Sequence, residues 1–222
     1  MNTNFIIMGL PASGKTTFLA ALWHLVEADE KECRLQLDGC GGDYTYLNLI
    51  AEAWLTFKPV PRTSQIGDED VIIQLKDNVT GVSGQAFFPD LAGETLDRQV
   101  EDRVCKPEFI EALTHNRGIL FFINADVKED ALTITELNAR IPPKETQISE
   151  APEKEAEAEV VVSPREWGPQ DLPAQVKIVQ LLSDMIRPPF VPLKRRIAIM
   201  ISAWDLVRDM QRAPSDWLAK HM

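Results

Sequence analysis

Cysteine is scarce in this 222-residue chain: Cys33, Cys40 and Cys105, an odd number at irregular spacing. That excludes a disulfide framework, and no Cys-x-x-Cys pair points to zinc. His24, His115 and His221 have no metal-ligand spacing either. Long apolar runs are missing as well. The N-terminus has no basic segment and an apolar run of only four residues, too short for a signal peptide, and no stretch approaches the ~20 apolar residues of a membrane span. Basic residues are outnumbered, 23 Lys and Arg against 34 Asp and Glu, for a formal net charge of -11. That balance speaks against broad binding to DNA or RNA, which needs a positive surface. There is no internal repeat. These absences leave a reduced-thiol protein expected in the cytoplasm. Its length and its 45% apolar content suffice for one α/β domain with a proper core.

What is present alternates between strand and helix signals. Residues 4–8, "GILFFINAD" and "RRIAIMISAWD" read as buried strands, short and apolar. "DVIIQLKD" and "GQAFFPD" read as two strands joined by turn residues 78–84, hence an antiparallel pair. Helices are expected from Thr16 to about Ala28, with Phe18, Leu19, Leu22, Leu25 and Val26 on one face, and from Asp43 to Phe57, stopping before Pro59. Others are expected near 107–115 and 126–139, and through "DLPAQVKIVQLLSDMIRPPF". Trp23, Trp54, Trp167, Trp204 and Trp217 are scattered, as core or helix-face residues are. Residues 141–169 are rich in Pro, Glu and Ala and poor in large apolar side chains, which predicts an acidic disordered insertion. The expected division is 1–140, the insertion 141–169, and 170–222 completing the same domain. The expected fold is a three-layer P-loop NTPase architecture: a mostly parallel sheet with one antiparallel edge strand and helices on both faces.

Gly9-Leu10-Pro11-Ala12-Ser13-Gly14-Lys15-Thr16 lies between the first strand and the first helix and meets the P-loop pattern. Glycine backbones let successive N–H groups turn toward phosphate oxygens. Lys15 brings a mobile charge for the β- and γ-phosphates, the hydroxyl of Thr16 suits Mg²⁺, and the helix start favours the same anion. Pro11, Ala12, Ser13 and Thr17 complete the loop and the first helical turn. The loop alone names no nucleotide, because an ATP-using small-molecule kinase would carry one too.

A second acidic site follows at "PDLAGE". Asp90, at the end of a strand neighbouring the loop, suits a water-mediated grip on Mg²⁺. The backbone of Gly93 is free to meet a γ-phosphate and to let go on its loss. A strand-end aspartate followed by a turn glycine is the plainer reading. A third site, Ser202-Ala203-Trp204-Asp205, ends the last apolar strand. Asp205 can also be read as the N-cap of a helix in "LVRDMQR".

In this order the three motifs resemble a P-loop GTPase domain of the Ras-related (TRAFAC) class. Through "PDLAGE" and "ISAWD" they resemble more narrowly the bacterial double-GTPase group, over roughly the whole chain. The resemblance implies GTP or GDP as ligand with Mg²⁺. It makes Asp90 to Gly93 the Asp-x-x-Gly switch motif and puts Glu94 where Ras-like proteins carry a water-positioning Gln. Asp205 becomes the reader of guanine N1–H and N2–H. Ser202 takes the place of the usual Asn or Thr, its hydroxyl tying that loop to the P-loop, and Ala203 takes the place of a Lys. It also calls for a switch I hydroxyl on Mg²⁺, for which Thr63 is the choice, with Arg62 beside it as a neutraliser of transition-state charge. A fifth motif on a later strand is not evident, so the domain is either shortened or part of a longer protein, with a protein effector or adjoining domain expected. The reading is a slow GTPase switch. An ATP-dependent phosphotransferase and a nucleotide-binding scaffold without turnover are the alternatives.

Overall fold

The computed structural model describes residues 4–28, 33–39, 44–59, 70–89, 94–126, 172–190, 194–210 and 213–221. The apolar runs become strands β1 (Phe5–Gly9), β2 (Leu35–Leu37), β3 (Val71–Asp77), β4 (Ser83–Phe88), β5 (Gly118–Asn124) and β6 (Arg196–Ser202). They form one sheet in the order β2-β3-β4-β1-β5-β6. β4, β1, β5 and β6 run parallel, whereas β3 is antiparallel to both β4 and β2. The hairpin read from residues 71–88 therefore supplies the antiparallel side of the sheet. A bidentate contact from Arg34 to Asp77, at 2.7 and 3.0 Å, fastens β2 there.

The helices are α1 (Lys15–Glu27), α2 (Thr45–Leu55), α3 (Glu94–Glu101), α4 (Pro107–His115), α5 (Ala174–Asp184) and α6 (Pro214–His221), with a 3-10 segment at Trp204–Met210. Side chains alternate across a strand, so the sheet feeds two cores. Ile6, Met8, Ile119, Phe121 and Ile123 meet α3, α4, α5 and α6 through Leu96, Val100, Phe109, Leu113, Ile178, Leu181 and Trp217. On the other face, Ile7, Ile73, Ala86, Phe88 and Phe122 meet α1 and α2 through Leu19, Ala20, Trp23, Val26, Leu47 and Ile50.

Several sequence expectations need correction. Leu25, assigned to the buried face of α1, is 44% exposed, and Trp23 takes the core position instead. The indole N–H of Trp23 donates to Asn48 Oδ1 at 2.7 Å and joins α1 to α2. α2 starts at Thr45 with Tyr44 as its cap residue, not from Asp43. α3 was not expected at all: "ETLDRQVE" is almost wholly polar, and only Leu96 and Val100, four residues apart, give it an apolar edge. The expected helix near 126–139 and the acidic insertion 141–169 lie outside the described residues.

Candidate nucleotide site

Parallel strands bring their carboxyl ends to one side of the sheet, and loops that follow such strands gather there. β1 ends at Gly9, in register with Phe122 of β5, and Asn124 of β5 pairs with Ser202 of β6. The loop after β1 thus stands beside the loops after β5 and β6. β4 lies directly next to β1 and runs the same way, so the segment leading to Asp90 leaves the sheet on this side.

The P-loop is held by its carbonyls. Lys15 is 4% exposed, and its Nζ donates to Gly9 O at 2.7 Å and to Leu10 O at 2.9 Å. Ser13 N–H also donates to Leu10 O (3.2 Å), and Phe18 N–H to Gly14 O (3.0 Å). Asn124 Nδ2 reaches across from β5 to Ala12 O at 3.2 Å. With these carbonyls taken up, α1 begins with no side-chain cap and no acidic residue in its first turn. A helix start of that kind leaves donors and a positive dipole end for an anion. The loop therefore fits a polyphosphate, for which the lysine would exchange carbonyl partners for phosphate oxygens. Thr16 is half-buried and Thr17 exposed at the head of α1.

Two glycines are obligatory here for physical reasons. Gly14 has φ +90°, and a Cβ on it would lie 2.8 Å from Ser202 Cβ and 3.1 Å from its Oγ. A Cβ on Gly9 would lie 2.6 Å from both Phe122 O and Ser13 Oγ. The P-loop and the end of β6 are thus packed backbone to side chain. That contact places the third sequence motif against the first.

The contact differs from the one expected. Ser202 Oγ donates to Ile123 O at 3.4 Å, so its hydroxyl serves the sheet while its Cβ abuts Gly14. The hydrogen bond that ties the P-loop to its neighbours comes from Asn124, which the sequence reading missed; the only signal was a polar residue closing the apolar run "GILFFIN". Beyond Ser202, Ala203 adopts φ +51°. Trp204 then turns to the core, edge-on to Trp217 with centroids 6.4 Å apart, which settles its role as packing. Asp205 is exposed at the start of the 3-10 segment. Leu206 N–H is taken by Ala203 O at 3.1 Å, and the described part of "LVRDMQR", residues 206–210, is 3-10 rather than α-helix, with Asp205 inside that segment.

Arg62, Thr63, Asp90 and Gly93 lie outside the described residues; Glu94 opens α3. α3, which directly follows Gly93, is clamped to α5. Lys177, 8% exposed, donates to Glu101 Oε1 at 2.7 Å and Asp97 Oδ1 at 3.1 Å. Burial works against its charge, but hydrogen bonds to the two carboxylates outweigh it and hold the ammonium above the usual lysine value. Arg103 extends the clamp to Asp184, at 3.0 and 3.3 Å.

A glycine-bracketed phosphate loop between the central strand and the first helix of such a sheet defines a P-loop nucleotide-binding domain. More narrowly, residues 6–222 match the Double-GTPase 1 family, and the chain belongs to it. It is a GTP-binding switch domain of the P-loop class. No curated protein matches the sequence. Among solved structures it is similar to the Ski7 GTPase-like domain of S. cerevisiae, crystallised with GTP, at 10% identity and a TM-score of 0.32. The match covers 90% of this chain but 42% of that one, a likeness too loose to carry residue roles across.

Proposed function

We propose that the domain hydrolyses GTP slowly and signals the loss of the γ-phosphate through α3. The observation that carries this reading is the packing of Ser202 against Gly14, which brings the end of β6, three residues before Asp205, to the phosphate loop. Lys15 and the N–H groups at the head of α1 hold the phosphates. Asp205 accepts hydrogen bonds from the guanine edge, which adenine cannot supply as a donor pair. Thr16, with Thr63 and Asp90, would hold Mg²⁺, which when bound offsets the negative charge of the phosphates. Glu94 positions the attacking water and Arg62 neutralises developing charge, so that rate enhancement is electrostatic rather than covalent. Gly93 follows the γ-phosphate, and the Lys177 clamp passes any shift of α3 to α5, where a protein effector or adjoining domain can read it.

Nucleotide titrations test the base assignment. Asp205→Asn exchanges a carboxylate acceptor for an amide that can donate, so preference shifts from guanine to xanthine nucleotide, whose extra carbonyl suits that donor. Unchanged discrimination among GTP, XTP and ATP in the variant would remove Asp205 from the site. Single-turnover phosphate release over hours then separates a GTPase from a scaffold that only binds.

A further inference from the structure

At the end of the sheet away from the phosphate loop, α4 and α5 finish and β5 and β6 start. Arg195, half-buried, fastens these four elements. It donates to Leu113 O of α4 at 3.1 and 3.3 Å and to Met185 O, just past α5, at 3.3 Å. Arg196 N–H donates to Arg117 O at 3.0 Å, so the starts of the two strands lie side by side. Arg187 follows α5 and Lys194 precedes Arg195; Arg117, Arg187, Lys194 and Arg196 are all exposed. Arg34, Arg98, Arg103 and Lys177 each lie against a carboxylate. Among the described residues no carboxylate pairs with any cation of this pole, and Asp184, which ends α5, is committed to Arg103 and Gln180. In a chain with 34 acidic against 23 basic residues, that is a local reversal of charge. Apolar groups are exposed among these cations. Ile186, 67% exposed, precedes Arg187, and Ile197, 49% exposed, follows Arg196. Residues 186–189 form an exposed turn.

We propose that this pole binds the surface of an anionic lipid bilayer, with the four exposed cations over the headgroups and Ile186 seated at the boundary of the acyl region. The mixture of cation and isoleucine selects lipid as the partner. A nucleic acid would meet the cations but leave both isoleucines in water. A bilayer interface takes up both, because its affinity combines buried apolar area with attraction to anionic headgroups. The net charge of -11 opposes approach only at long range, since physiological salt screens exposed charges beyond about 8 Å. Ser202, beside the phosphate loop, lies six residues along β6 from Arg196, a rise of about 20 Å. The phosphate loop therefore faces away from the bilayer. The proposal stands apart from the nucleotide reading, and its test does not involve nucleotide.

Co-sedimentation with vesicles tests it. The intact chain should pellet with vesicles of equal parts phosphatidylcholine and phosphatidylserine, stay in the supernatant with phosphatidylcholine alone, and be largely released as salt is raised to about 0.5 M. Each cation near such a surface is worth roughly fivefold in partitioning, so Arg187→Ala/Arg196→Ala should weaken binding roughly 25-fold. Ile186→Ser should weaken it as well, while leaving its salt dependence unchanged. The three side chains are exposed, so the melting temperature and circular dichroism of both variants should match the wild type. Equal partition onto neutral and anionic vesicles overturns the proposal, as does anionic binding that Arg187→Ala/Arg196→Ala leaves intact. Binding indifferent to Ile186→Ser removes the apolar contact and with it the choice of lipid. Retention on polyuridylate without vesicle binding would make the pole a nucleic-acid contact and overturn the proposal equally.

Discussion

Replacing Gly14 with Ala probes the contact on which the site is built. Two costs arise together. At φ +90° an L-residue meets the left-handed penalty of about 1–2 kcal/mol. The new methyl also lands 2.8 Å from Ser202 Cβ, well inside van der Waals contact, and overpacking of this kind costs roughly 1–3 kcal/mol. The sum, roughly 2–5 kcal/mol, corresponds to a melting temperature lower by roughly 5–15 °C in a domain of this size. Nucleotide affinity should fall with it, since the displaced loop is the phosphate cradle. The two costs separate in a double-mutant cycle with Ser202→Gly. Removing the Ser202 side chain relieves the overlap but not the backbone strain, so Gly14→Ala/Ser202→Gly should regain about 1–3 kcal/mol relative to the sum of the single changes. Differential scanning fluorimetry without nucleotide reads the stability part, and titration of a fluorescent guanine nucleotide reads the affinity part. A Gly14→Ala protein that melts like wild type would refute the close approach. A cycle with no coupling would show that Ser202 is not the group Gly14 meets.

Other outcomes follow from the same geometry. Asn124→Ala frees Ala12 O and should weaken nucleotide binding roughly three- to ten-fold, the equivalent of one hydrogen bond; unchanged affinity would mean that this bond does not shape the loop. Lys177→Met leaves Asp97 and Glu101 facing an uncharged, buried stem. Their side chains retain 27% and 24% exposure, so the loss should be about 1–3 kcal/mol, below that of a fully buried pair; hydrogen exchange should show it concentrated in α3 and α5. In the wild type the raised lysine value means that this contribution is complete through neutral pH and disappears only as pH climbs past it. Burial, with the charge of Asp184 adding to it, pushes the Cys105 thiol up to about 11. Its alkylation by iodoacetamide should accordingly stay slow at pH 8 and accelerate toward pH 11. Because the folded value lies above the ordinary thiol range, the associated stability is intact below that range and lost as pH rises toward 11, and Cys105→Ser should remove that alkaline decline.

The strands were legible because each is a short apolar run bounded by glycine or polar residues, and burial on both sheet faces demands that composition. The P-loop was legible because its chemistry needs particular residues at fixed spacing; in the structure Lys15 and Ser13 of that loop are buried and Gly14 packs on Ser202. α3 escaped notice because two apolar residues among polar ones make too weak a period; its place comes from Lys177 and the core, which are distant in sequence. Leu25 was misplaced for a similar reason. Periodicity marks a helix face only to within about one residue; Leu25 falls outside the buried face, and Trp23 lies within it, bonded to Asn48 on the next helix. The roles of Arg62, Thr63, Asp90 and Gly93 rest on sequence alone.

By itself, then, the order of residues determined the class: a phosphate loop, an acidic strand end and a second acidic strand end, spaced for a P-loop switch domain. That much is local, since backbone freedom, charge and hydroxyl placement within eight residues suffice to make an anion cradle. The tertiary structure alone decided that Gly14 rests on Ser202, that Asn124 rather than a serine hydroxyl braces the loop, and that Trp204 serves the core. Those facts depend on which strands become neighbours, and a sheet ordered β4-β1-β5-β6 sets side by side residues as much as 188 positions apart, as with Gly14 and Ser202 (202 − 14). Strand order is chosen by the burial of two whole faces at once, a property that no single segment of the chain carries.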